Sequence, residues 1–106
     1  MDTVTFTAIP NHFYEVSWDS QMSASVACVA TMNARWEPGS GPITPTSTSV
    51  WSRVAQVTAG NDTYHFTRTI TGLSGVVTVG ITGLANNGAT VTAYTGRELL
   101  VQDLGL

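Results

Sequence analysis

Period-two alternation constrains this chain more than any other feature. From Ala24 to Trp36 every second residue (Ala24, Val26, Cys28, Ala30, Met32, Ala34, Trp36) is apolar or small, while Ser25, Thr31, Asn33 and Arg35 take the other face. Successive side chains of a strand point to opposite faces, so such a stripe predicts a half-buried β-strand and argues against helix. The stripe is longer than a usual strand, and a bend, bulge or break is expected near Thr31–Asn33.

The same alternation recurs between turn residues. Val4, Phe6 and Ala8 share one face opposite Thr3, Thr5 and Thr7, and Pro10-Asn11 ends that run. A second strand is expected from His12 to about Trp18, with Asp19-Ser20-Gln21 as its turn. Glu37 to Thr48, "EPGSGPITPTST", holds three prolines and two glycines and reads as a long loop. Further strands are expected at about Ser49–Val57, Thr63–Thr71, Gly75–Thr82 and Ala89–Thr95. Ala59-Gly60-Asn61-Asp62 turns between the first two, and Asn87-Gly88 is the strongest hairpin signal. The tripeptide Thr-Gly-Leu occurs at Thr71 and again eleven residues later at Thr82. It reads as a strand exit, with leucine plugging the core. The last segment, "RELLVQDLGL", is either a closing strand or a terminal turn. Residues 1–106 therefore read as one all-β domain, a single β-sandwich of seven to eight antiparallel strands, jelly-roll or immunoglobulin-like, with an open barrel as the alternative.

Composition narrows the function. There is no lysine, only Arg35, Arg53, Arg68 and Arg97 against seven acids, for a net charge of −3. A nucleic-acid binder needs clustered cations to displace counterions from phosphate, and none can form here. The seventeen threonines and nine serines give a wet, weakly charged surface suited to packing beside other proteins. Met1 is followed by "DTVT" rather than a basic, apolar leader, and the uncharged run from Thr69 to Gly96 has too little Leu or Ile to span a membrane. Cys28, the single cysteine, excludes an internal disulfide and sits in the apolar stripe as packing.

No catalytic constellation is visible. His12 and His65 lack metal-ligand spacing, so no metal site and no cofactor are expected. Asp2, Asp19, Glu37, Asp62 and Asp103 fall in turns or termini, and Asn61-Asp62-Thr63 reads as a turn although it matches a glycosylation acceptor pattern. The aromatics are the remaining candidates. Trp51 lies opposite Val50 and Val54 in a strict alternation and is the best exposed contact residue; Trp18 and Tyr94 join it as candidate sugar platforms. Phe6, Phe13 and Phe66 are expected as core residues or sheet-edge plugs. Leu99 and Leu104, in "ELLVQDLGL", serve either a subunit contact or core closure.

Two stretches carry a family resemblance. "YHFTRTITGLSGVVTVGITGLANNGATVTAY" (Tyr64–Tyr94) resembles small β-sandwich proteins encoded among bacteriophage virion genes, with an aromatic strand, a Gly-Leu-Ser turn, a valine strand and a final Thr-Val-Thr strand. "YEVSWDSQMSASVACVATMNARW" (Tyr14–Trp36) is similar to their opening hairpin. The chain departs from the pattern in having Asn33-Ala34-Arg35 where an Asn-Asp-Gly turn is expected. The resemblance implies a virion component: a capsid decoration or cement protein, or a fibre or tail module. Its partners would be the major capsid or other virion proteins, it would self-associate with a trimer favoured, and it would be made in the host cytoplasm. The alternative is a carbohydrate- or receptor-binding module using Trp51, Trp18 or Tyr94.

Overall fold

The computed structural model describes residues 2–106. Eight strands build it: β1 (Thr3–Ala8), β2 (Phe13–Ala24), β3 (Cys28–Pro38), β4 (Thr48–Val57), β5 (Asp62–Ile70), β6 (Gly75–Ala85), β7 (Val91–Ala93) and β8 (Glu98–Gly105). Helix is absent among the described residues. All ladders are antiparallel, and they form one sheet of order β1-β6-β3-β4 and another of order β5-β2-β7, with β8 also on β2. Met22–Ala24 pair with β7 and Phe13–Asp19 with β8, so β7 and β8 are one edge strand interrupted at 94–97. The two sheets share a single core, to which β2 contributes Val16, Trp18 and Met22 and the other sheet Ala30, Ala34, Val77 and Val79. The body is sandwich-like and measures 43 × 23 × 20 Å.

Several local expectations change. Asp19-Ser20-Gln21 is not a turn: β2 continues through it because all three residues pair with β5, at His65, Tyr64 and Thr63. The long apolar stripe is divided instead at Ser25–Ala27, where the chain crosses between sheets; Ala24 closes β2, Cys28 opens β3, and Val26 is exposed. Cys28, Ala30, Met32 and Ala34 remain buried as the alternation requires. The long loop begins two residues late, since β3 keeps its ladder with β6 through Pro38.

That loop is anchored rather than free. Gly39 adopts φ 77° and donates its N–H to the Val76 carbonyl (2.7 Å), while Thr78 Oγ1 donates to the Gly39 carbonyl (2.8 Å). Ile43 then lies over Gly80 so closely that a Cβ there would stand 2.7 Å from Ile43 Cγ1. The Asn87-Gly88 turn forms with φ 58° and 64° and an Ala89 N–H to Asn86 carbonyl bond of 3.1 Å. It is an arch between sheets, not a hairpin, because β6 pairs with β1 and β3 whereas β7 pairs with β2.

The largest correction concerns Trp51. Ala34 pairs with Trp51 and Arg35 with Ser49, leaving Val50 as an extra residue on β4. This bulge turns two consecutive side chains inward, and Trp51 is only 1% exposed. Its indole Nε1–H crosses the core and donates to the Val16 carbonyl on the opposite sheet (3.2 Å). Phe66 packs against the ring with centroids 5.3 Å apart. Beyond the bulge the phase is reversed, so Val54 points to solvent.

Side chains of β5 close the seam beside β4. The Tyr64 hydroxyl donates to the Gln56 carbonyl (2.7 Å), and Arg68 Nη1 donates to the Val50 carbonyl (3.3 Å). Burial, then the Asp62 carboxylate and the Cys28 thiol, push the Tyr64 phenol up, which keeps it a donor.

Trp51→Ala should lose about 3–5 kcal/mol of stability by leaving a core cavity. Trp51→Phe, which mainly removes the bond to Val16, should cost about 1–3 kcal/mol for the carbonyl contact and reduced volume. Urea unfolding of both variants checks this; an Ala variant as stable as the parent contradicts the inward placement.

Candidate functional site

The candidate contact residues separate into buried and exposed sets. Trp51 and Trp18 are core residues, which corrects the expectation that they offer exposed platforms. The cause is the bulge for Trp51 and the continuous alternation of β2 for Trp18. Phe13, expected as a core residue or sheet-edge plug, is exposed because it lies on the outward phase of β2. Leu99 is half-buried against the core opposite Trp18, whereas Leu104 is 47% exposed. Tyr94 is 39% exposed and its hydroxyl meets Ser23 Oγ at 2.7 Å. Of the five candidates, then, only Tyr94 and Leu104 stand on the surface, and they belong to different stretches of the β7–β8 edge.

The structure brings together residues that no local pattern joins. On the outer face of the four-stranded sheet, Val54, Thr31 and Leu84 stand in one row across β4, β3 and β6. Leu84 is 76% exposed and Val29 is also open to solvent, with the neutral Asn33 and Thr82 beside them. The second Thr-Gly-Leu therefore behaves unlike the first. Leu73 is buried and plugs the core, while Leu84 points outward because Gly83 takes the inward position opposite Met32.

A groove opens between the end of β6 and β7. It has two lobes of about 350 Å³ and 240 Å³ that share Met32, Gly83 and Ala93. The larger lobe is lined by Met22, Ala30, Leu84, Ala85, Ala89 and Val91 in addition. A polar lock closes the smaller lobe: Trp18 Nε1–H donates to Asp2 Oδ2 (2.8 Å), and Arg97 Nε donates to both Asp2 oxygens (2.9 and 3.0 Å). Asp2 and Arg97 are far apart in the chain, so only the fold pairs them.

The opposite pole carries a second polar cluster. Asp103 accepts from the Gly105 N–H (2.8 Å), lies 2.9 Å from His12 Nδ1, and receives a long bond from the Tyr14 hydroxyl (3.5 Å). Tyr14 in turn accepts the Ile9 N–H (2.8 Å), which ties β8 to the β1–β2 corner. The Gly105 N–H and His12 hold the Asp103 carboxyl below the usual carboxylate range. His65 and Asp19 form a further exposed pair across β5 and β2. No group of three or more His, Cys, Asp or Glu side chains able to hold a metal ion occurs among the described residues. The geometry thus supplies strand-tying polar contacts, an apolar outer row and an apolar groove.

No family model matches the chain, and no curated protein and no solved structure matches it significantly.

A carboxyl held below its unfolded pKa stabilises the fold above that pKa, and the contribution is lost as pH falls through the folded value. Wild type should therefore lose more stability than Asp103→Asn as pH falls below about 4, the ordinary carboxylate range. Urea midpoints measured from neutral to acid pH check the difference; parallel curves contradict it.

Proposed function

We propose that this chain is a non-enzymatic structural protein of a bacteriophage virion, either a capsid decoration or cement protein or a fibre- or tail-associated module. It acts by protein–protein contact with major capsid or other virion proteins and with its own copies, a trimer being favoured. The observation that carries this reading is the exposed row Val54–Thr31–Leu84, set in a face of Asn33 and Thr82 whose nearest charge, Arg35, is bonded to Thr82 Oγ1 (3.3 Å). Contiguous exposed apolar side chains mark interaction surfaces. The scarcity of charge around them keeps the desolvation cost of a contact low. The resemblance of Tyr64–Tyr94 and Tyr14–Trp36 to virion sandwiches points the same way.

The glycan-binding alternative is weakened, since Trp18 and Trp51, two of its three platforms, lie in the core. For the type of sandwich we favour the immunoglobulin-like over the jelly-roll. The pairs β2–β5 and β3–β6 correspond to the second-with-fifth and third-with-sixth pairings of an immunoglobulin domain. The terminal strands are interchanged relative to that plan: β1 lies on β6, and β7–β8 lie on β2.

Sedimentation velocity should show the pure protein as a trimer or another closed oligomer, or cosedimentation should show it on phage heads assembled without it. The double substitution Val54→Glu and Leu84→Glu alters only outward side chains and should weaken that association at least about tenfold while leaving the fold intact. A wild-type protein that remains monomeric and ignores heads contradicts the reading.

A further inference from the structure

We propose that the groove between β6 and β7 accepts an extended, uncharged segment of another polypeptide, which adds to the four-stranded sheet as a strand beside β6 in line with β1. Taking the protein to be a contact protein, this inference names one of its acceptor sites and the chemistry of what fills it. β1 pairs with β6 from Gly75 to Gly80, and among the described residues the Ile81 N–H makes the last bond on that side, to the Asp2 carbonyl (3.0 Å). β6 nevertheless continues to Ala85.

The N–H and C=O of one strand residue face the same neighbour, and the side alternates along the chain. Ile81 faces β1, while the Asn86 N–H reaches the Val29 carbonyl of β3 (3.1 Å), so Gly83 and Ala85 direct their backbone groups into the groove. Across it, the Ser25 N–H to Thr90 carbonyl and Tyr94 N–H to Gln21 carbonyl bonds (3.0 Å each) turn residues 90 and 94 toward β2. Val91 and Ala93 therefore also face the groove. None of these four residues has a ladder partner on that side among the described residues.

Exposed strand edges invite pairing, and proteins commonly blunt them with charge, proline or a bulge. From Ile81 to Ala93 the chain has no charged residue and no proline. Asp2 and Arg97, at the end of the groove, already neutralise each other. Methionines and alanines form its walls, and Gly83 leaves space that Met32 enters, since a Cβ there would lie 2.8 Å from Met32 Sδ. The occupant is consequently neutral, apolar or small at alternate positions, and extended. Five residues spanning Ile81 to Ala85 correspond to about 17 Å of strand. A helix would satisfy its own backbone and leave the four acceptor residues unpaired, so strand addition is the mode that the groups select.

The test uses uniformly ¹⁵N-labelled full chain and a synthetic probe, acetyl-Thr-Val-Thr-Ala-Thr-Val-amide, beside the same peptide methylated at alternate backbone nitrogens. The unmethylated peptide should shift the amide signals of Gly83 and Ala85, with smaller shifts at Val91 and Ala93. At about ten times its Kd it should slow hydrogen exchange at Gly83 and Ala85 about tenfold. The methylated peptide should do neither. Unmoved signals, or equal shifts with the methylated peptide, overturn the proposal. Exchange protection that rises with protein concentration alone would assign the groove to a second copy and also overturn it. Because Leu84 borders the groove as well as the outer row, Val54→Glu alone separates the two readings: it should weaken cosedimentation and leave the peptide-induced shifts at Gly83 and Ala85 unchanged.

Discussion

The structure depends on one bond across the core, from the Trp51 indole on β4 to the Val16 carbonyl at the centre of the facing sheet. A sandwich of this size has few side chains long enough to reach from one layer to the other. Trp51 reaches because Val50 is inserted as an extra residue, and that insertion alters everything beyond it on β4. Ala55 and Val57 return to the core, and Val54 is sent to the outside beside Thr31 and Leu84. Core and candidate contact face are thus two consequences of a single shift in phase.

Edges explain the rest of the architecture. Beside β4 the sheets are joined by Tyr64 and Arg68, which cap the Gln56 and Val50 carbonyls that an edge strand would leave exposed. On the other side, β1 and β8 are pinned at both poles. Asp2 bonds Trp18 and Arg97 at one, and Asp103 gathers His12, Tyr14 and the Gly105 N–H at the other. With few ionic groups available, the fold spends them on joining strands distant in sequence. Among the described residues no such side chain lies between the end of β6 and β7, where the groove opens. The uncharged run from Thr69 to Gly96 is therefore more than a wall of the sandwich, since it includes the stretches of β6 and β7 that border the groove.

Much of this was legible in the residues. Alternation identified the all-β class, and turn chemistry located most strand ends to within a few residues, because a buried face and positive-φ turns leave direct marks on local sequence. Long-range pairing leaves none. Nothing near Asp19 tells that β5 will extend β2 past it, and nothing near Asn87-Gly88 tells that the strands it joins belong to different sheets. Trp51 was misplaced because alternation counts residues and a bulge adds one; the small Ser49 and Ser52 around it carry no warning. Tyr94 is legible as a surface residue, Leu104 stands between a contact and core closure, and the groove is not legible at all. Its backbone groups are invisible to any reading of side chains, and its lining comes from residues as distant in the chain as Asp2 and Arg97. The closest signal was the absence of charge and proline after Thr69, which composition alone reads as ordinary strand.

Hydrogen exchange of the tryptophan indole groups, resolved by NMR, addresses the central bond directly. If the bulge carries Trp51 into the core and onto Val16, its Nε1–H should exchange only when the whole domain unfolds, matching the slowest backbone amides of β2 and β3. An Nε1–H at Trp51 exchanging at the rate of a solvent-exposed indole would place the ring outside and contradict the account.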